Sequence, residues 1–172
     1  AAYAIGTIGI VFLILAMVVT PVMLLLTENI LLAMETPQEA FASAKSYLMI
    51  CSAGIPFIVG YNAVSGIFRG LGDSKTPLYF IFLACVLNVG MDFLLVGAFH
   101  MGAAGAAIAT IFAQAVSFFA ALLYMWRKGF SFPFHREYFR LNLSSALRIW
   151  KVGLPLALQD ALVNVSFLII TT

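Results

Sequence analysis

Charge is scarce in this sequence. Nine Lys and Arg and seven Asp and Glu make up 9% of its 172 residues, against 63% hydrophobic residues. A water-soluble domain of this size cannot clothe its surface on so few charges, and the mean hydropathy of +1.07 belongs to a polytopic helical membrane protein. No nucleic-acid partner is expected. Histidine and cysteine are nearly missing too, with two of each. His100 and His135 lie too far apart to cooperate. Cys51 and Cys85 fall in apolar runs, at neither disulfide nor metal spacing, and read as packing residues. With no nucleophile–base pair and no metal-ligand cluster, an enzyme has no constellation to rest on, and no cofactor is expected.

Long apolar runs are what the sequence does have. Five can be drawn: Tyr3–Leu26, Tyr47–Phe68, Leu78–Phe99, Met101–Trp126 and one that begins near Val152 and reaches Thr172. Each of the first four is long enough to cross a bilayer as a helix. The fold class is therefore all-α, a transmembrane helical bundle. The sequence opens on Ala1 without a signal pattern, and its last run has no flank, so it reads as an internal segment of a longer chain. Pro21 is a candidate kink. A polar loop is expected over Thr27–Lys45, with Thr36 and Pro37 as N-cap and first residue of the next helix. Gly54 and Pro56 should break the second run, and Gly66 and Gly70 have the spacing of a small-residue helix contact. Thr76 and Pro77 are expected to open the third helix as cap and first residue. The fourth starts on MGAAGAAIAT, almost all small residues, where a neighbouring helix should pack close.

The runs alternate sides, so the loops can be sorted. Arg69 and Lys75 share one side with Arg127, Lys128, Arg136, Arg140, Arg148 and Lys151; of nine basic residues only Lys45 lies opposite. The positive-inside rule makes the 69–76 and 127–151 loops cytoplasmic. Arg127–Lys151 mixes aromatics with cations and reads as an interfacial linker on the inner leaflet, with Trp126 and Trp150 as belt anchors.

The chemistry lies inside Leu78–Phe99. An acid deep in an apolar run costs on the order of 3 kcal/mol and marks an ion or substrate path. Asp92 is such an acid, and Asn88 sits one turn before it on the same face. No Lys or Arg in the runs can neutralise Asp92. An oxygen-only set suits Na⁺ or a proton rather than a transition metal, and Thr110 is a natural hydroxyl for it if the third and fourth helices are antiparallel neighbours. The alternative is a buried, protonated structural acid. Asp160, beside Gln159 and one turn before Asn164, is a second acid in an apolar run, either functional or wetted at the interface. The loop RGLGDSKTP (Arg69–Pro77) is no phosphate loop, because Ser74 stands where a glycine must precede the lysine, and a third glycine is missing for a dinucleotide fingerprint. It reads as a tight turn, with Gly70 and Gly72 permissive and Asp73 and Thr76 as caps.

FRGLGDSKTPLYF (Phe68–Phe80), Asn88 and Asp92, MGAAGAAIAT (Met101–Thr110) and VGLPLAL (Val152–Leu158) together, and in this order, resemble the multidrug and toxic compound extrusion (MATE) family of transporters. The resemblance implies helices three to seven of about twelve, in two six-helix bundles around a central cavity. Residues 1–126 would belong to the first bundle, 127–151 to the linker and 152–172 to the first helix of the second. It implies a monomeric antiporter in the cell membrane that exports amphipathic, often cationic, drug-like compounds in exchange for Na⁺ or H⁺. Asn88, Asp92 and Thr110 fall at positions of the family's cation or proton site, which also uses an aspartate from a first helix lying outside this sequence. Some branches use an acid in the seventh helix; Asp160 is offset from that place and Asn164 lies closer, so both stay substrate or coupling candidates. Glycine and proline breaks such as Gly54–Pro56 are candidates for the bending of alternating access.

Three rivals differ in what they require. A lipid-linked oligosaccharide flippase of the same superfamily should line its cavity with cations, and the runs contain none. A channel should carry a ring of acids or a filter sequence. A non-transporting membrane assembly protein should tolerate Asp92→Asn.

Overall fold

The computed structural model describes residues 2–128, with side chains from Gly6 onward, and single positions between 147 and 166. The chain divides into two compact units, one of Phe12–Pro133 and one of Ala1–Val11 with Phe134–Thr172. Five α-helices run through the described residues: α1 (Ala2–Ala33), α2 (Gln38–Ala53), α3 (Ile55–Gly70), α4 (Lys75–Asp92) and α5 (Gly102–Lys128), with a π-helical turn, Phe93–Ala98, continuing α4. Three stretches are long and apolar enough to cross a membrane, and α2 with α3, bent by 45° at their break, has the length and composition of a broken fourth span or a re-entrant pair. The protein is a multi-pass helical membrane protein.

The polar loop expected over Thr27–Lys45 shrinks to a turn at 34–37, because α1 continues to Ala33 and α2 starts at Gln38. Hydropathy marks where the apolar run ends, whereas backbone hydrogen bonding carries a helix beyond it. An ion pair between Glu28 and Lys45 ties the two extensions together. Pro37 is the N-cap of α2 rather than its first residue, and Thr36 supplies no cap hydrogen bond. Helix α1 runs unbroken through Pro21. At the next turn, Asp73 is the side chain that caps α4. Its carboxylate accepts from the Thr76 N–H at 3.0 Å and from Thr76 Oγ1 at 2.7 Å, so α4 begins at Lys75 and Thr76–Pro77 already lie in its first turn. Gly72 (φ +85°) carries the left-handed residue of this turn.

Helix α5 is the hub of the larger unit and packs against α2, α3 and α4. Its buried face is made of Gly105, Ala107, Ala109, Ala113, Ser117 and Ala121, which is the close approach the small residues promised. Larger side chains enter glycine notches on the bent span: Ile111 meets Gly54, and Phe118 meets Gly60. Gly66 and Gly70 behave differently. A Cβ at either would meet nothing within 4 Å, so the expected small-residue contact there is not made among the described residues.

Two side-chain hydrogen bonds fasten the helices to the first turns of α4. The buried Tyr61 hydroxyl of α3 donates to the Pro77 carbonyl at 2.9 Å, and Ser117 of α5 donates to the Phe80 carbonyl at 3.1 Å. Around them Tyr61, Val64, Phe68 and Ala121 form a core with Phe80, Phe118 and Met125 against it. Tyr124 stacks edge-on to Phe80 (5.8 Å between centroids) and tilts over Phe68 (6.1 Å). Aromatic contacts of this kind add to area burial.

Candidate functional site

Antiparallel packing of α4 and α5 brings Asn88 to Thr110. The Asn88 Nδ2 donates to Thr110 Oγ1 at 3.2 Å, and the Thr110 hydroxyl in turn donates to the Ala106 carbonyl at 3.0 Å. That arrangement leaves the Asn88 carbonyl oxygen without a hydrogen bond among the described residues. Asp92, the last residue of α4, stands one turn further on the same face. Its Oδ1 is buried and has no hydrogen-bond partner among the described residues. A buried carboxylate oxygen without a partner is costly, and a bound cation or proton removes that cost. The three side chains offer a carboxylate, an amide oxygen and a hydroxyl, all of them hard oxygen groups.

Past Asp92 the ladder slips to the π pattern, in which Phe99 N–H reaches Leu94 O, five residues back, at 3.0 Å, and Met101 N–H then closes the helix end on Leu95 O at 2.9 Å. Such turns are rare and concentrate at functional sites. Gly105 makes room for this one, since a Cβ there would lie 3.3 Å from the Leu95 carbonyl carbon. His100 (φ +52°) and Gly102 (φ +56°) then reverse the chain into α5.

Beside the Asn88–Thr110 bond, α3, α4 and α5 line an open cleft of about 220 Å³. Tyr61, Asn88, Thr110 and Gln114 line it together with Ile81, Ala84, Cys85 and Ala113. Cys85 is exposed at its wall, contrary to the packing role expected from its apolar surroundings; a thiol in an apolar run can as well face a cleft. Drug-sized sites are larger, roughly 300 Å³ and upward.

Tyr61 and Gln114 are absent from the sequence-based site. Tyr61 reaches the cleft from α3, a proximity across helices that no local pattern encodes. Gln114 did have a signal, its i,i+4 spacing from Thr110. Asp160 and Asn164 lie outside the described residues, as does nearly all of Arg127–Lys151 and the run from Val152.

At the other end of the helices Asp73 binds a third partner. The Lys128 ammonium at the end of α5 reaches its Oδ2 at 3.1 Å and sits 5.3 Å from the Tyr124 ring centroid. The Thr76 hydroxyl and N–H, then Lys128, pull the Asp73 carboxyl down to about 2. This clasp places the start of α4 and the end of α5 on one side, as the sorting of basic loops requires.

A family model described as MatE matches residues 1–94. The chain belongs to the MatE family. The resemblance carried by the FRGLGDSKTP turn and the Asn88–Asp92 pair is thereby upheld. Among curated relatives of this MatE chain, the probable multidrug resistance protein YpnP of Bacillus subtilis (strain 168) is 42% identical over 134 residues, 78% of this chain and 30% of that protein. The multidrug export protein MepA of Staphylococcus saprophyticus is 25% identical over 92% of this chain and 35% of that protein. The probable multidrug resistance protein NorM of Thermotoga maritima is 32% identical over 71% of this chain and 27% of that protein. The MatE chain thus spans about a third of the length of these relatives. An inward-facing multidrug resistance MATE family transporter of the MOP superfamily shares the fold, with a TM-score of 0.76 at 24% identity over 90% of this chain and 41% of that one.

Proposed function

We propose that the chain forms part of a multidrug efflux antiporter, in which Asn88, Asp92 and Thr110 hold the coupling cation, Na⁺ or H⁺. The single observation that carries this reading is the buried, unpartnered Asp92 Oδ1 one turn beyond the Asn88–Thr110 bond, in a span of a MatE-family chain. The names of the relatives support drug-like organic compounds as substrates. In this reading residues 1–126 belong to the first of two bundles, 127–151 to a cytoplasmic linker and 152–172 to the second bundle, in a monomer in the cell membrane. Asp160 and Asn164 stay candidates in the second bundle.

The cycle is alternating access. A substrate enters while the central cavity faces inward, and the cation enters at Asp92 from outside. Ionised Asp92 attracts the cation and is neutralised by it, which favours whichever conformation buries the carboxylate best. Coupling follows only if cation and substrate differ in their affinity for the two states, and the dependence is then reciprocal.

The test is export of a fluorescent cationic dye by the full-length transporter in vesicles, under imposed Na⁺ or pH gradients, for wild type and Asp92→Asn. Efflux driven by one gradient and lost in the variant at equal expression is the expected result, and the effective gradient names the ion. Efflux that survives the substitution makes Asp92 structural.

A further inference from the structure

Thr110 and Ile111 are consecutive on α5 and point to different neighbours. Thr110 accepts the Asn88 amide of α4, while Ile111 enters the break between α2 and α3. A Cβ at Gly54 would lie 1.9 Å from Ile111 Cδ1, 2.5 Å from Cγ1 and 2.9 Å from Cγ2. The whole branched side chain therefore occupies the notch, and a β-branched residue in a helix has one strongly preferred χ1 with which to do so. Gly54 has helical φ and ψ, so its lack of a side chain serves this approach and not an unusual backbone.

On the other side of the notch the Gly54 N–H bonds the Ile50 and Cys51 carbonyls, both at 3.1 Å, and so closes α2 at the 45° bend. A Cβ at Gly54 pushes back either the Ile111 side chain or the turn of α5 that bears both Ile111 and Thr110.

We infer that Gly54 and Ile111 are positioning residues for the coupling cation: the isoleucine in the glycine notch fixes the bent span against α5 and so holds Thr110 in register with Asn88. The break at Gly54–Pro56 is then a fixed corner of the bundle, not a hinge that flexes during transport. The inference rests on the cation-site reading above.

The experiment measures gradient-driven dye efflux by the full-length transporter in proteoliposomes against the concentration of the driving cation. Wild type is compared with Gly54→Ala and with Gly54→Ala/Ile111→Ala. Misplacement of ligands by a fraction of an ångström to one ångström raises the half-saturating cation concentration on the order of tenfold in Gly54→Ala, with the maximal rate at saturating cation largely kept. In the double variant the methyl added at 54 takes up the space the isoleucine gave up, so the contact is remade without the clash and half-saturation returns near the wild-type value. A purely structural role would lower folded protein or maximal rate and leave half-saturation alone. Unchanged half-saturation in Gly54→Ala overturns the inference, as does a double variant as shifted as the single. If Gly54→Ala does not reach the membrane, the double variant decides: wild-type half-saturation supports the inference, and a shifted or unfolded protein overturns it. Wild-type efflux that responds to neither cation defeats the cation-site reading itself, and the inference falls with it.

Discussion

Asn88 and Thr110 meet across the α4–α5 interface with the threonine as acceptor, its own proton committed to the Ala106 carbonyl. The geometry asks for a hydroxyl at 110, not merely for its volume. Thr110→Ser should keep cation-dependent efflux, and Thr110→Val should weaken or abolish it. Stability should change little, by about 0.6 kcal/mol, the average for interhelical hydrogen bonds inside membranes. Unfolding in mixed micelles, run beside the efflux assay, separates the two effects.

Tyr61 joins α3 to α4 through one buried hydroxyl on the Pro77 carbonyl. Tyr61→Phe removes that bond and keeps the ring in its core. The expected loss is about 1 kcal/mol of stability, measured by reversible unfolding in detergent. A larger loss would mean that the ring had moved as well.

Two glycines six residues apart on α3 should respond in opposite ways. At Gly60 an added Cβ would stand 2.7 Å from the Phe118 ring, and overpacking of this kind costs about 1–3 kcal/mol. At Gly66 there is nothing within 4 Å. There Gly→Ala should be neutral or stabilising by up to about 1 kcal/mol, through the unfolded chain. Thermal stability of the two alanine variants side by side tests the contrast.

The Asp73 clasp should be insensitive to acid over most of the usable range. Its carboxyl is held at about 2, below its unfolded value near 4, so its contribution is complete above the unfolded value and is lost as pH falls through the folded one. The stability difference between wild type and Asp73→Asn should stay constant from neutrality to about pH 5 and shrink only below about pH 4. Thermal melts across that series check it. A difference that fades nearer neutrality would mean that Thr76 and Lys128 do not hold the carboxylate.

Much of this architecture was legible in the residues, because a bilayer leaves few alternatives. Apolar length gave the spans, Gly54–Pro56 the break, and the small residues before Thr110 the close packing of α5. Thr110 could answer Asn88 only on the condition that α4 and α5 pack antiparallel, and the fold meets that condition. What escaped was set by geometry between helices or by backbone beyond the apolar runs. Glu28 and Lys45 read as loop residues, yet they sit on continuing helices. Gly66 and Gly70 have the right spacing on a face that nothing described packs against.

The π-helical turn Phe93–Ala98 changes how α4 must be mapped. One residue taken up in a wider turn displaces the angular phase of everything after it by about 100°. A helical wheel drawn straight through Asp92 would therefore assign the wrong faces to Phe93–Phe99. A cysteine-accessibility scan of this span should give two patterns, out of step with each other, that meet at the acid.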